Sequence, residues 1–168
     1  MELSELRYSD CPTVEVTVAI AASPDAVWAL VSDIQLPARF SSEFLGAEWL
    51  DDVTSPAMGA RFIGRNRHPA IGEWETTSTI CDYELGRRFG WAVGDTDQPS
   101  ATWRFTLEPD DAGTRLTQWM QMGPARSGIN LAIDAMPAKE SKILHRRLAE
   151  HRANMEDTLA GIKQIVEA

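Results

Sequence analysis

The chain has 168 residues, of which 43% are hydrophobic and 24% charged, and this length suits one domain with its own core. Its 25 acidic and 16 basic residues give a formal net charge of −9, which argues against nucleic acid and anionic membranes as partners. No apolar run approaches the roughly 18 residues of a membrane span, and the acidic N-terminus lacks the pattern of a secretory signal. We therefore expect a cytoplasmic protein without a membrane-inserted segment.

The first elements are an arm, a strand and a short helix. Residues 1–12 predict a loose N-terminal arm. Apolar residues then alternate with polar ones from Val14 to Ile20, which is the period of a half-buried strand. Ser23 is a good helix N-cap and Pro24 suits the first helical position, so a helix is predicted over residues 24–32. A second short helix or turn is expected near residues 34–42, where Pro37 interrupts the pattern.

The middle of the chain alternates strand-like runs with turn residues. Strands are predicted over residues 44–52, 59–68, 71–84, 87–94, 101–109 and 113–123. The connections between them are short and rich in Gly, Pro and Asp, as hairpins require. Short connections indicate an antiparallel meander rather than parallel strands joined by crossover helices.

The C-terminal part predicts one long helix over residues 138–166. Its apolar residues recur at steps of three and four, and its opposite face, which includes Glu150, is charged. A separate helical turn is expected over residues 129–136, because Pro137 should break the path. The predicted apolar stripe consists of Leu144, Leu148, His151, Met155, Leu159, Ile162 and Val166.

These elements together predict a single α+β domain over residues 1–168. A long helix with one apolar stripe must lie on an apolar surface, and an antiparallel sheet is the large partner available. A strongly twisted sheet curls around such a helix and closes imperfectly. We therefore expect a curved seven-stranded sheet wrapped around the C-terminal helix, with a cavity between them.

Four segments carry a resemblance to a known family. They are residues 22–28 (ASPDAVW), 62–67 (FIGRNR), 72–75 (GEWE) and 89–91 (FGW). In this order of elements, residues 13–166 resemble the START-like superfamily, also called SRPBCC or helix-grip. Within it the chain is similar to the bacterial polyketide cyclase/dehydrase and lipid-transport family. The resemblance implies a deep hydrophobic pocket under the C-terminal helix for lipids, polyketides or aromatic molecules.

Two polar residues on the third strand are candidates for chemistry. If Phe62 points inward, Gly64, Asn66 and His68 share its face. Asn66 offers hydrogen-bond donors and an acceptor, and His68 titrates near neutrality. Alternatively, Asn66 bonds a neighbouring backbone group and His68 lies exposed at the strand end. His151, on the apolar helix stripe, is the third candidate for acid–base work, or else packs its ring and keeps one nitrogen in water.

Aromatic, thioether and hydroxyl side chains share the inward faces of the predicted strands. Such a wall suits flat or apolar ligands, because rings stack on it and Met adapts its shape. Alternatively, these residues simply fill the core. The predicted ligand-binding residues are Phe62, Asn66, His68, Trp74, Ser78, Phe89, Trp91, Trp103, Phe105, Gln118, Met120, Leu148, His151 and Met155.

Other site chemistries lack their motifs in this sequence. The three histidines do not have metalloprotease spacing, no serine lies in a nucleophile elbow, and no Gly-rich phosphate loop follows a strand. Cys11 and Cys81 are too few for a disulfide framework or a zinc cluster and are predicted to be free, at least half-buried thiols. We expect no metal and no cofactor. Glu75 is predicted to pair with an arginine, and His145 to be solvated.

Three functions follow from this pattern. The first is a pocket protein that binds a small hydrophobic or aromatic molecule, such as a lipid or polyketide. The second is a polyketide cyclase, aromatase or dehydrase that uses His68, Asn66 and His151 as acid–base groups. The third is a protein-interaction module with a vestigial pocket, which an exposed Trp49 or Trp119 in an apolar patch would favour.

Overall fold

A seven-stranded antiparallel sheet forms most of the molecule. The computed structural model describes residues 3–168, so Met1 and Glu2 of the predicted arm lie outside the described residues. The order across the sheet is β1-β7-β6-β5-β4-β3-β2, which is the predicted meander with the first strand added beside the last. The strands are β1 (Thr13–Ile20), β2 (Phe44–Trp49), β3 (Arg61–His68), β4 (Gly72–Glu84), β5 (Arg88–Gly94), β6 (Pro99–Asp110) and β7 (Gly113–Met122).

Three α-helices complete the fold at the predicted places. They are α1 (Pro24–Val31), α2 (Ile129–Ala135) and α3 (Glu140–Val166). The Ser23 hydroxyl accepts a hydrogen bond from the Ala26 amide at 3.3 Å, which caps α1 as expected. Pro137 separates α2 from α3 and opens a short 3₁₀ turn. The second helix predicted after β1 is reduced to the 3₁₀ turn Leu36–Arg39.

The edge of the sheet at β1 is covered by side chains of α3. Polar side chains of α3 reach the free edge of β1, where Lys163 donates to the Ala19 carbonyl at 2.7 Å and Arg152 to the Glu15 carbonyl at 3.2 Å. These bonds occupy carbonyls that would otherwise invite another strand. The sheet curls so that its far strands also approach α3, which gives the predicted sheet wrapped around a helix.

The described part of the N-terminal arm is docked rather than loose. Tyr8 is buried, and its hydroxyl donates to the Ala125 carbonyl at 2.6 Å. The Tyr8 amide donates to Glu140 at 2.8 Å, and the Leu6 amide to the Ser141 hydroxyl at 3.0 Å. The prediction of a loose arm is wrong for residues 3–12, because these acceptors belong to elements more than a hundred residues away in the sequence.

The inward faces of the strands match the predicted alternation. Phe62, Ser78, Phe89, Phe105 and Gln118 are all buried. In β4 the pairing shifts by one residue between Ile80 and Asp82, and this bulge returns the inward face to Tyr83.

Several polar residues differ from their predicted surroundings. Glu75 is exposed, but no described arginine forms an ion pair with it, and Arg65 pairs instead with Glu48 at 3.8 Å. Cys11 is half-buried as predicted, whereas Cys81 is exposed, and both are free thiols. His145 is half-buried and donates to the Ser4 carbonyl at 2.6 Å, where a solvated ring was predicted.

Candidate functional site

A cavity of about 460 Å³ lies between the concave face of the sheet and α3. This volume falls in the range of small-molecule sites in proteins, and protein interiors otherwise contain few voids larger than a water molecule. The cavity is bounded by β3 to β7, by the segment from Ile34 to Phe44, by the start of α2 and by α3. The predicted space under the C-terminal helix is therefore present.

Aromatic rings form a continuous wall on the sheet side. Trp91 and Trp103 are partners in the β5–β6 ladder and stack with centroids 6.5 Å apart and planes at 13°. The ring of Phe62 meets Trp91 edge-on at 5.7 Å, and Phe89 lies 5.3 Å from Trp91. Rings arranged in this way present both π faces and edges to anything in the cavity.

Opposite this wall, α3 presents a mixed surface. His151 packs edge-on against Trp103 with centroids 5.4 Å apart. Burial lowers the pKa of His151 to about 3, with further lowering by the positive charge of Arg147. The imidazole is therefore neutral at pH 7, so it can offer one N–H donor and one nitrogen acceptor to the cavity.

A buried ion pair stands at the rim of the cavity. The Arg147 guanidinium donates to both carboxylate oxygens of Glu43, at 2.6 and 2.8 Å, and to Glu150 at 3.3 Å. Burial opposes the charge of Arg147, but the Glu43 and Glu150 bonds outweigh it and raise the pKa of Arg147. This bidentate pair joins α3 to the residue immediately before β2.

His68 extends the same network at the end of β3. Its Nδ1 accepts the Ala70 amide at 3.0 Å, so the Nε2–H donates to Glu150 at 2.9 Å. Burial would raise the pKa of Glu150, but the His68 bond and the Arg147 charge outweigh it and lower that pKa. His68 therefore bonds to α3 and is not among the residues that line the cavity, whereas Asn66 is.

The carboxylates of Glu43 and Glu150 and the His68 ring together resemble a ligand set for a metal ion. One ligand atom from each lies within 4.8 Å of the other two. The Arg147 guanidinium nevertheless bonds both carboxylates, and a divalent cation there would face its positive charge at close range. The arrangement fits an ion-pair network better than a metal centre.

The structure brings together all but two of the predicted binding residues. Asn66, Trp74, Ser78, Met120 and Met155 join the aromatic residues, Gln118 and His151 on the cavity wall. The exceptions are His68, which lies in the network described above, and Leu148. Leu148 packs instead against the cluster around Tyr8 and Val14, because the helix turns that side chain toward β1.

The sequence analysis missed several polar wall and rim residues, and four of them matter most for the charge and hydrogen bonding of the site. Arg147 had a signal, since it lies three residues after Leu144 and four before His151 and so falls on the buried side of α3. Asn154 also lines the cavity, and its amide oxygen accepts from the Ser42 amide at 2.9 Å. Glu43 had no local signal, because only the tertiary approach of α3 buries it. Glu150 was assigned to the charged outer face, yet it is half-buried against His68.

No helix among residues 3–168 is long and apolar enough to cross a membrane. No curated protein matches the chain significantly.

Solved structures share the fold closely. The polyketide-cyclase-like protein Cgl2372 from Corynebacterium glutamicum is 33% identical, with 92% of this chain and 91% of that chain covered and a TM-score of 0.65. The di-domain ARO/CYC proteins BexL and StfQ, from the BE-7585A and steffimycin biosynthetic pathways, are 16% and 14% identical. The structural matches to BexL and StfQ cover 93% and 92% of this chain and 50% of each of those chains, with TM-scores of 0.68 and 0.67. At these identities BexL and StfQ show the shared fold alone.

A family model for polyketide cyclase/dehydrase and lipid transport matches residues 12–163, which is the whole sheet together with most of α3. The same residues build the cavity, its aromatic wall and the helix above it. The chain therefore belongs to the polyketide cyclase/dehydrase and lipid transport family.

Proposed function

We propose that the protein binds a small hydrophobic or aromatic molecule in the cavity between the sheet and α3. The observation that carries this proposal is the 460 Å³ cavity with its stacked aromatic wall. A core that served only stability would be packed to a density that leaves no such space. Family membership supports the same function, since the family includes lipid transport.

The charges around the cavity favour an apolar occupant. Arg147, Glu43 and Glu150 pair with one another, so among residues 3–168 the charged groups of the rim are already paired. The remaining surface is aromatic, aliphatic, thioether or neutral polar. A ligand buried here gains its free energy from apolar contact area, at roughly 25 cal/mol per Å².

A cavity-filling substitution tests this proposal. Ala101 lines the cavity and Thr102 occupies the opposite face of β6, so Ala101→Phe and Thr102→Phe form a matched pair. We expect ligands from a panel of fatty acids, polyketides and fused-ring aromatics to raise the Tm of the unmodified protein and of Thr102→Phe. Ala101→Phe should fold and lose that response. Native mass spectrometry would confirm the complex.

Two outcomes would contradict the binding proposal. One is a panel in which no compound binds or stabilises the unmodified protein. The other is undiminished binding by Ala101→Phe, which would place the ligand outside the cavity.

A second candidate function is acid–base catalysis on a polyketide-like substrate. The observation behind it is geometric: the His151 ring lines the cavity, packs on Trp103 and has no hydrogen-bond partner within residues 3–168. Asn66 lines the same cavity and is the natural group to hold a substrate carbonyl. His68 was the third catalytic candidate, and its bonds to Glu150 and Ala70 make it a support for the rim instead.

Turnover of a model poly-β-ketone tests the catalytic candidate. His151→Asn should lower the rate at least a hundredfold, the usual scale for a general base, while methylanthracene still binds. His145→Asn, on the same helix but against the N-terminal arm, should leave the rate unchanged. An unchanged rate in His151→Asn would remove His151 from the mechanism, and no turnover by the unmodified protein would leave binding as the function.

The interaction-module hypothesis has lost its supporting feature. Trp49 is half-buried and meets Phe62 edge-on at 5.6 Å, and the Arg104 guanidinium lies 4.6 Å from the ring centroid of Trp119. Neither tryptophan forms the exposed apolar patch that such a module would require.

A further inference from the structure

The polar groups around the cavity fall into two classes. The charged ones, Arg147 with Glu43 and Glu150, are paired with each other. The neutral ones include a glutamine on β7 and a histidine on α3, and these have hydrogen-bonding capacity to spare. This division bears on which ligand the cavity accepts, and the inference that follows rests on the proposed binding function.

Gln118 is the residue with an unmet hydrogen bond. Its side chain lines the cavity and only 6% of the residue is exposed. The buried Oε1 has no hydrogen-bond donor among residues 3–168. Leaving a buried carbonyl oxygen without a donor costs about 1–3 kcal/mol, so a glutamine at this place is unfavourable for folding alone. A hydrophobic residue of the same size would fill the position without that loss.

Gln118 lies on the sheet beside the aromatic wall, and Trp103 of that wall is a neighbour both of Gln118 and of His151 on α3. Gln118 pairs with Phe105 across β6 and β7, and Trp103 pairs with Met120, two residues along the same face. Gln118 and Trp103 are thus diagonal neighbours, and the Cα atoms of such neighbours lie about 7–8 Å apart in an antiparallel sheet. His151 packs on Trp103 from above. A flat ligand resting on this wall would bring a substituent within reach of both polar side chains.

We propose that Gln118 is a specificity-determining residue that accepts a hydrogen bond from a hydroxyl group of an uncharged aromatic ligand. A hydroxyl supplies the proton that Oε1 needs and can also accept from the neutral His151 ring. A carboxylate has no proton to donate to Oε1. It would also be buried away from any free cation of the described cavity lining, because both arms of the Arg147 fork are occupied by Glu43.

Three probes that share one ring system test this selectivity. Anthracenemethanol, methylanthracene and anthracenecarboxylate carry a hydroxymethyl, a methyl or a carboxylate group on the same carbon of the central ring. Binding is measured by quenching of tryptophan fluorescence, since Trp91 and Trp103 line the cavity. We expect the alcohol to bind about tenfold tighter than the methyl compound and the carboxylate to bind most weakly, because one buried hydrogen bond corresponds to roughly this ratio.

Gln118→Met removes the amide and keeps the length of the side chain. It should lower the affinity for the alcohol about tenfold and change that for methylanthracene less than about twofold. Gln121→Met, on the outward face of the same strand, is the matched control and should change neither affinity. Gln118→Asn, which keeps an amide but withdraws it from the ligand, gives a second test if the methionine variant does not fold and should also weaken the alcohol alone.

The outcomes separate this inference from the proposed function. Equal binding of the alcohol and the methyl compound, or tightest binding of the carboxylate, overturns the role of Gln118 and leaves the binding function standing. An equal loss of both neutral probes in Gln118→Met also overturns it, since a merely structural residue would behave in that way. No binding of any of the three probes to the unmodified protein overturns this inference alone, and the proposed function fails only if the fatty acids and polyketides of the wider panel also do not bind.

Discussion

The two halves of α3 lie over different interiors. The C-terminal half places Leu159 and Ile162 on a solid core, where both are essentially fully buried. The N-terminal half places Arg147 and His151 over the cavity. The same helix, with one hydrophobic repeat along its length, thus covers a packed core at one end and a cavity at the other. Helical periodicity therefore identifies the buried face of a helix but does not show whether that face covers a core or a cavity.

The cause of the difference lies under the helix. Val27 and Val31 of α1, with Leu36 of the following turn, fill the space beneath the C-terminal half. Leu144 of the N-terminal half also lies in a packed cluster, but the turns of α3 that follow it face the cavity. Polar side chains are tolerated in that half because they pair with each other or face the cavity.

The largest expected effect concerns the ion pair at the cavity rim. Arg147→Ala leaves Glu43 buried without its partner, and breaking one side of a buried pair typically costs 3–5 kcal/mol. We expect the free energy of unfolding to fall by about 3 kcal/mol in urea titrations. Arg146→Ala, at the exposed neighbouring position, should change it by less than about 0.5 kcal/mol.

A paired replacement shows whether this half of α3 needs charge at all. Arg147→Met combined with Glu43→Leu removes both charges, and such exchanges are often neutral for stability. The double variant should recover most of what Arg147→Ala loses. If Arg147→Ala is no more destabilising than Arg146→Ala, the rim is solvated and the contrast between the two halves is weaker than we infer.

The second prediction concerns the solid half of the helix. A glycine normally costs about 1 kcal/mol relative to alanine inside a helix. At Gly161, however, an added Cβ would lie 2.3 Å from Cε1 of Phe40. Gly161→Ala should therefore lower stability by about 2 kcal/mol, and Tm by roughly 5 °C, despite the better helix former.

A second substitution separates crowding from helix propensity. Phe40→Leu in the Gly161→Ala background should restore part of the lost stability, because it withdraws the ring that the new methyl group meets. A Gly161→Ala protein more stable than the unmodified one would mean that the Phe40 ring moves aside at little cost. The C-terminal half of α3 would then be less tightly packed than we infer.

Local patterns predicted the scaffold well. Alternation gave the inward faces of the strands, Ser23 gave the start of α1, and Pro137 gave the break before α3. These features depend on neighbours within a few residues, where backbone preferences act. The same reasoning brought most of the predicted binding residues onto one wall, because a strand face and a helix stripe are both periodic.

The errors arose where distant residues meet. Glu43, His68 and Glu150 lie in different elements, and only the packing of α3 against the sheet joins them. The N-terminal arm was predicted to be loose because its acceptors, Ala125 and Glu140, are remote in sequence. Pairings of this kind depend on register and curvature, which a hydrophobic pattern does not encode.

The smallest effect tests whether the N-terminal half of α3 holds a neutral histidine. The pKa of His151 is about 3 in the folded protein and 6.5 in an ordinary setting, so below pH 6.5 the unfolded chain takes up a proton that the folded protein does not. The stability that this histidine contributes is therefore complete above pH 6.5 and is lost as the pH falls toward 3, by about 1 kcal/mol between pH 6.5 and 5.5. Glu150, whose pKa is lowered, loses its contribution to stability only below its ordinary pKa of 4.5, outside this interval.

Urea titrations between pH 6.5 and 5.5 should show the loss of stability in the unmodified protein and in His145→Gln, and not in His151→Gln. An unchanged slope in His151→Gln would mean that the imidazole reaches water through the cavity mouth, and the two halves of α3 would then differ in packing but not in polarity.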